Sequence, residues 1–140
     1  MNYEHRIKMV EIAVSDYENI RVLDIEHGNY PSYTIHTLNN IETKYPGYKF
    51  FIILGVDTYS SIKKWKDYKI IIRKYDMIVY PRIGCFDHPI FNIEKIAFLK
   101  APIIEISSSF IRNNIQKGKN MKYLLHIKVW NYMNKYNLYR

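Results

Sequence analysis

Residues 103–112 read IIEISSSFIR, and this stretch joins an apolar run to three serines and an arginine. The apolar run over 103–106 predicts a buried strand, and Ser107 predicts the N-cap of a helix over 108–117. A serine N-cap binds one backbone N–H group, while the other free N–H groups and the helix dipole favour an anion at that end. Arg112 lies about one turn into the helix, so its guanidinium could bind a phosphate at the same place. An ordinary capped surface helix is the alternative interpretation.

The rest of the chain alternates helix and strand patterns. Apolar spacing predicts further helices over residues 3–14, 34–44, 58–65, 67–74 and 121–137. Apolar runs predict strands over 20–25, 48–54, 77–80 and 93–99, with loops over 26–31 and 84–92. The 48–54 run is apolar on both faces, which is typical of a central strand in a parallel sheet. The alternation predicts one α/β domain over residues 1–140, with a Rossmann-like, mostly parallel sheet and flanking helices.

Composition limits the classes of protein to which the chain can belong. A net charge of +8 would suit nucleic acid or a phosphorylated ligand, but the lysines are scattered in sequence, so a nucleic-acid-binding module ranks last. The single cysteine, Cys85, excludes an internal disulfide and a cysteine metal cluster. The first residues mix charged and apolar positions, so neither a signal peptide nor a membrane span is expected. A cytoplasmic location is predicted.

Three segments carry a family resemblance. They are PSYTIHTL at 31–38, FFIILGVD at 50–57 with Trp65 after it, and ISSSFIR at 106–112. In their order, spacing and residues, these segments resemble those of the nicotinate-nucleotide (nicotinate mononucleotide) adenylyltransferase family. The resemblance covers nearly all of the chain. The resemblance implies a Rossmann-like nucleotidyltransferase fold. It also implies a function in NAD biosynthesis, the transfer of the adenylyl group of ATP to nicotinate mononucleotide, which gives deamido-NAD and pyrophosphate, with Mg²⁺ on the ATP phosphates.

The resemblance implies two sets of binding residues. Those for ATP are Ile106 beside the adenine, Ser107, Ser108 and Arg112 on the phosphates, and Gly55 and Asp57 along the nucleotide groove. Those for the second substrate are Trp65 against the pyridine ring, backbone groups near Thr34 and Lys66 for the carboxylate, and Arg82 in a P-R-I-G turn. Asp57 would accept a hydrogen bond from a ribose hydroxyl. On local sequence alone, Asp57 could equally be a helix cap and Trp65 a core residue.

The chain departs from the family in one respect. The family opens with a strand, a glycine-containing loop and an H-x-G-H or T-x-G-H motif, and residues 1–140 contain neither motif. The histidines do not form this pair and are predicted to be surface or cap residues: His5, His27, His36, His88 and His126. The domain is therefore expected to be N-terminally incomplete, without its first βα unit, and the catalytic residues stay unknown.

Two alternatives remain open at this point. Because the H-x-G-H motif is absent, the chain could be a non-catalytic nucleotide-binding remnant or subunit whose sheet another chain completes. It could also be an enzyme similar to pantetheine-phosphate adenylyltransferase, which carries a related serine-rich element before its final helices. The PSYT segment and the G-x-D…W segment argue against this second alternative.

Overall fold

The computed structural model describes residues 2–26, 28, 31–84 and 94–140. They form two compact units, one from Met1–Asp24 with Ile106–Arg140 and the other from Ile25–Glu105. In chain order the helices are α1 (Tyr3–Val14), α2 (Thr34–Lys44), α3 (Val56–Ser60), α4 (Tyr68–Lys74), α5 (Ser108–Gln116) and α6 (Ile127–Lys135), with 3-10 turns at Ile62–Lys64 and Lys122–Leu124. The strands are β1 (Phe51–Gly55), β2 (Asp76–Tyr80) and β3 (Ile96–Phe98). The predictions for His27, for His88 and for parts of the two loops lie outside the described residues.

A parallel sheet forms the centre of the unit Ile25–Glu105. Its strand order is β1-β2-β3, and β1 pairs with β2 so that Gly55 stands opposite Tyr80. In β2, side chains alternate between the two faces of the sheet, and Met77 and Val79 are buried on one of them. They join a core drawn from β1, β2 and the adjoining helices: Ile35, Leu54, Val56, Tyr59, Ile62, Ile71, Ile72 and Tyr75. The predicted parallel sheet with flanking helices is confirmed.

Strand β1 is not the central strand that its apolar run predicted. Within the described residues it pairs with β2 alone and lies at the edge of the sheet. Leu54 is buried, but Phe51 and Ile53 on the opposite face are 52% and 69% exposed. A run that is apolar on both faces shows that both faces can be buried. It does not determine which elements cover them.

Two predicted strands do not form. Residues 20–25 and 103–106 adopt no regular secondary structure, and Ile104 is 71% exposed. A strand exists only where a neighbouring strand pairs with its backbone N–H and C=O groups. Apolar composition favours such pairing but supplies no partner, so both predictions were wrong.

Three helices form the core of the other unit. Side chains from α5 and α6 make a small buried cluster, consisting of Ile111, Ile115, Val129 and Met133, against which Met9, Ile12 and Ala13 of α1 pack. The predicted last helix, 121–137, is broken in two because Leu125 has an extended backbone between the 3-10 turn and α6. None of the described helices is long and apolar enough to cross a membrane.

Several helix predictions are confirmed closely. The bounds of α1 and α2 agree to the residue with the predictions 3–14 and 34–44, and α5 ends one residue before the predicted 117. The predicted helix 58–65 is instead the short α3 followed by a 3-10 turn, since Ser61 leaves the helical conformation. Strand β2 begins one residue before the predicted 77.

Candidate functional site

The carboxyl end of β1 brings together an acid and an arginine. Gly55 ends β1 and is the N-cap of α3, whose first turn contains Asp57. The Oδ1 atom of Asp57 lies 3.7 Å from the Nε atom of Arg82, which follows β2. The Nη2 atom of Arg82 donates a hydrogen bond to the hydroxyl of Tyr80 at 3.1 Å, and its guanidinium lies over the Tyr80 ring. A carboxylate and a guanidinium therefore meet where open α/β sheets bind their ligands.

The absence of a side chain at Gly55 allows the Asp57 carboxylate and the Arg82 guanidinium to approach each other. A Cβ atom at position 55 would collide with Oδ1 of Asp57 and lie 3.2 Å from Nε of Arg82. The backbone angles of Gly55 are ordinary, so the requirement for glycine here is space and not conformation. The Nε atom of Arg82 is buried and has no hydrogen-bond partner among the described residues.

The helix-cap interpretation of Asp57 is wrong. The N-cap position belongs to Gly55, and no side chain caps α3. Asp57 lies in the first turn, where its negative charge suits the helix dipole, and its side chain is 51% exposed. Its carboxylate is thus accessible at the carboxyl end of β1. Its predicted role toward a ribose hydroxyl stays a prediction.

A second cluster lies at the start of α2. Thr34 is the first helical residue, and Tyr33 occupies the N-cap position without a side-chain hydrogen bond to the helix. The Nζ atom of Lys66 lies 4.5 Å from the centroid of the Tyr33 ring and 3.4 Å from Nε2 of His36. The Tyr33 and His36 rings meet edge to face at 5.6 Å. A cation, an imidazole and the positive end of a helix therefore converge.

A polar cavity of about 340 Å³ adjoins this cluster. Its lining includes Pro31, Ser32, Tyr33, His36, Thr37 and Asn40. Across it, the Thr37 hydroxyl donates a 2.6 Å hydrogen bond to Oε1 of Glu26. The cavity has room for a small polar ligand beside the first turn of α2.

Trp65 contributes to the core of its unit. Its side chain is partly buried and packs against the hydrophobic cluster around β1 and β2. Its backbone N–H closes the 3-10 turn by bonding to the carbonyl of Ile62 at 2.9 Å. Burial of the residue is only partial, so some of its surface stays accessible. A stacking role for the exposed part stays a prediction.

The N-terminus of α5 has the predicted cap. The Oγ atom of Ser107 accepts a hydrogen bond from the backbone N–H of Phe110 at 3.1 Å. The Nη2 atom of Arg112 donates a hydrogen bond to Oγ of Ser109, also at 3.1 Å, so the guanidinium folds back over the first turn. Ser108 and Arg112 line one part of a cavity of about 450 Å³, whose other lining residues are mostly apolar and come from α1, α5, α6 and the segments that flank α6. Ile106 precedes the cap and is 39% exposed.

The sequence did not predict the contacts of His36 and Tyr80. His36 was predicted to be a surface or cap residue, and it is exposed, but it contacts a lysine 30 positions away. No periodicity or local motif signals such a contact. In the described part of the chain, no three His, Cys, Asp or Glu side chains gather in a way that could hold a metal ion.

Comparisons with known proteins show which family the chain resembles. Residues 1–114 match the family model described as cytidylyltransferase-like. A protein of Flavobacterium johnsoniae named "Probable nicotinate-nucleotide adenylyltransferase" is 43% identical over 98% of this chain and 72% of its own length. One of Flavobacterium psychrophilum with the same name is 41% identical over 96% of this chain and 72% of its own length.

Structural comparison supports the fold independently. A nicotinic acid mononucleotide adenylyltransferase of Plasmodium falciparum, solved in complex with APC, superposes with a TM-score of 0.79 over 99% of this chain and 76% of that one. The two share 22% sequence identity, so this likeness concerns the fold. The parallel sheet, its carboxyl-end site and the family model together define a nucleotidyltransferase-type protein of the cytidylyltransferase-like class. Within that class, the chain belongs to the nicotinate-nucleotide adenylyltransferase family.

Proposed function

We propose that this protein binds ATP and nicotinate mononucleotide and transfers the adenylyl group between them in NAD biosynthesis. In this reaction a phosphate oxygen of nicotinate mononucleotide bonds to the α-phosphorus of ATP. The bond from that phosphorus to the bridging oxygen of the β-phosphate breaks, so deamido-NAD forms and pyrophosphate leaves. Such transfers depend on positioning and on neutralising phosphate charge, and they need no protein nucleophile.

The observation that carries the proposal is the hydrogen bond from Arg112 back to Ser109 in the first turn of α5. The Nη2 atom of Arg112 lies 3.1 Å from Oγ of Ser109, so the guanidinium lies against the turn in which helical N–H groups have no intrahelical partner. Both groups favour an anion, and a guanidinium can bind a phosphate with two parallel hydrogen bonds. ATP phosphates would bind here, at Ser107, Ser108 and Arg112, with Ile106 beside the adenine.

Gly55 and Asp57 would line the nucleotide groove in the other unit. The ion pair of Asp57 with Arg82 is loose at 3.7 Å, and both side chains are partly exposed. Either group can therefore exchange its partner for a ligand at small cost, since exposed ion pairs contribute little. Asp57 would accept a hydrogen bond from a ribose hydroxyl, and Arg82 would bind substrate phosphate. Mg²⁺ would enter on the ATP phosphates, because it prefers phosphate oxygens and water to an all-protein cage.

The start of α2 is the proposed position of the nicotinate group. The exposed part of the Trp65 indole would stack on the pyridine ring, since the face of an indole attracts a planar cation. Backbone N–H groups near Thr34 and Lys66 would bind the carboxylate. Thr34 suits this role because it begins a helix whose N-cap provides no side-chain partner.

A second candidate function is nucleotide binding without turnover. It stays an alternative because the residues assigned above bind the nucleotides, and binding alone does not require groups that stabilise transition-state charge. Such groups typically contribute a factor of about 10² or more each to the rate, so a site without them would bind both nucleotides but react far more slowly.

The two functions are separated by measuring binding and turnover on the same sample. Titration calorimetry would report the affinities for ATP and nicotinate mononucleotide, and an assay of pyrophosphate release would report turnover. Release of pyrophosphate that requires both substrates and is matched by deamido-NAD supports the enzyme. Binding of both nucleotides with no release supports the non-catalytic alternative. If neither nucleotide binds, the proposal is wrong.

A further inference from the structure

We infer that Tyr80 is a positioning residue that holds Arg82 in the orientation in which it binds a ligand phosphate. The inference rests on the proposed function, in which Arg82 binds substrate phosphate, and it adds the residue that orients this arginine. Tyr80 acts through Arg82, by fixing the plane and direction of the guanidinium.

Tyr80 contacts Arg82 in two ways. Its hydroxyl accepts a hydrogen bond from Nη2 of Arg82 at 3.1 Å, and its ring centroid lies 5.5 Å from the Cζ atom of the guanidinium. The hydrogen bond restricts the direction of the guanidinium, and the ring face adds attraction for the cation. Among the described residues, the Tyr80 hydroxyl has no other hydrogen-bond partner. The hydroxyl is therefore matched to this arginine.

The backbone explains why the two side chains meet. Tyr80 is the last residue of β2, and Arg82 follows it two positions later, after Pro81. A proline favours an extended backbone in the residue before it, and side chains two positions apart on an extended chain point to the same side. Strand β2 is held in register by β1, where Gly55 stands opposite Tyr80. The pair is thereby fixed at the carboxyl end of the sheet.

The contacts of Arg82 leave part of its guanidinium available to a ligand. Asp57 approaches the Nε atom at 3.7 Å, and Tyr80 binds one N–H of Nη2. In the described part of the chain Nη1 has no hydrogen-bond partner, and the Arg82 side chain is 38% exposed. Nη1 and the second N–H of Nη2 can donate two parallel hydrogen bonds to a phosphate. An arginine held in advance loses less conformational entropy when it binds.

The test compares ligands with and without a phosphate on the purified full chain. Tyr80→Phe removes the hydroxyl and keeps the ring. Calorimetry should show binding of nicotinate mononucleotide weakened about threefold to tenfold, the range for one hydrogen bond. Nicotinate riboside, which lacks the phosphate, should bind the variant and the wild type almost equally. Arg82→Ala should weaken binding of the mononucleotide about tenfold or more, since it removes hydrogen bonds to a charged group.

A double-mutant cycle provides the second measurement. If Tyr80 acts through Arg82, adding Tyr80→Phe to Arg82→Ala should cause no further loss, because coupled residues give non-additive free energies. This cycle decides the question even if the riboside binds too weakly to titrate. Tyr48→Phe is the matched control, because Tyr48 belongs to the same unit and is 72% exposed. It should leave the affinities unchanged.

Titration with ATP identifies the source of the phosphate. A loss in Tyr80→Phe with the mononucleotide assigns Arg82 to the substrate phosphate, and a loss with ATP assigns it to the ATP phosphates. Either result supports the positioning role. The inference is wrong if Tyr80→Phe changes neither affinity, if it weakens riboside binding equally, or if its effect persists in Arg82→Ala. The proposed function then stands if the wild type binds both nucleotides and releases pyrophosphate. If the wild type binds neither nucleotide, both are wrong.

Discussion

Arg112 donates a hydrogen bond to Ser109, three residues earlier on the same helix, and the two atoms lie 3.1 Å apart. This bond turns the guanidinium toward the N-terminus of α5, although an arginine in a helix of this length could equally extend into solvent. The first turn of α5 thereby gathers a capping serine, free N–H groups and a planar cation.

Replacing Arg112 with alanine should weaken ATP binding by about 1.5–3 kcal/mol, the range for a hydrogen bond to a charged group. Arg112→Lys should recover only part of the loss, because an ammonium cannot supply two parallel hydrogen bonds. Calorimetric titration with ATP measures both effects. Arg73→Ala, at an exposed arginine in the last turn of α4, is the control and should bind ATP as the wild type does. An unchanged affinity in Arg112→Ala would leave α5 an ordinary capped surface helix.

Gly55→Ala should reduce nucleotide affinity more than stability. The new Cβ would collide with the Asp57 carboxylate, whose side chain is half exposed and can move aside. The backbone at position 55 suits alanine, so we expect a change in unfolding free energy of about 1 kcal/mol or less, at the low end for an added methyl group. Chemical denaturation and ATP titration together check the prediction. A large loss of stability would mean that Asp57 cannot move.

The pair Gly55→Ala and Asp57→Ala provides the control for that experiment. In an Asp57→Ala background the collision with the carboxylate no longer exists and the 3.2 Å approach to Nε of Arg82 is left, so adding Gly55→Ala should change ATP affinity less than it does in the wild type. Independent effects of the two substitutions would contradict the proposed cause, because coupled residues give non-additive free energies.

Fluorescence and stability measurements distinguish a stacking role of Trp65 from a purely structural one. If the indole stacks on the pyridine ring, nicotinate mononucleotide should quench its emission, and Trp65→Phe should weaken binding by about 1 kcal/mol. Trp130, in the helical unit, should stay unaffected by this ligand. A purely structural tryptophan would instead cost about 3–5 kcal/mol of stability when replaced with alanine and leave affinity unchanged in the folded fraction. A thermal melt and a titration of Trp65→Ala therefore decide between the two.

Asp16 should make part of the stability depend on pH. Its carboxylate accepts a hydrogen bond from Lys128 at 2.5 Å and lies 3.5 Å from Nε2 of His126. The hydrogen bond from Lys128 lowers the pKa of Asp16 below its ordinary value of 3.8. A lowered pKa means that the contribution to stability is present above that value and is lost as the pH falls through the pKa of the folded state.

Asp16→Asn should therefore lower the melting temperature slightly at pH 7, by an amount that shrinks as the pH falls below 3.8. Thermal melts across this pH range measure the difference. Glu18→Gln, at a nearby exposed acid, is the matched control for the loss of one negative charge. A difference for Asp16→Asn that stays constant with pH would contradict the proposed ionic origin.

Some features followed from local sequence. The bounds of α1 and α2 agree with their apolar spacing, and the Ser107 cap forms as predicted because its hydrogen bond closes within one turn of the same helix. The apolar run that ends in Gly55 correctly indicated that Asp57 would lie at the carboxyl end of a strand. These features depend on residues a few positions apart, so the chain specifies them without long-range contacts.

Only the tertiary structure decided the remaining features. Residues 20–25 and 103–106 have strand-like composition but no partner, and β1 lies at an edge despite its two apolar faces. The contact of Lys66 with His36 joins positions 30 residues apart, and the contact of Asp57 with Arg82 joins the first turn of α3 to the turn after β2. Sequence periodicity reports which face of a segment can be buried. Which other segment covers that face depends on the folding of the whole chain, because strand pairing and side-chain contacts form between distant residues.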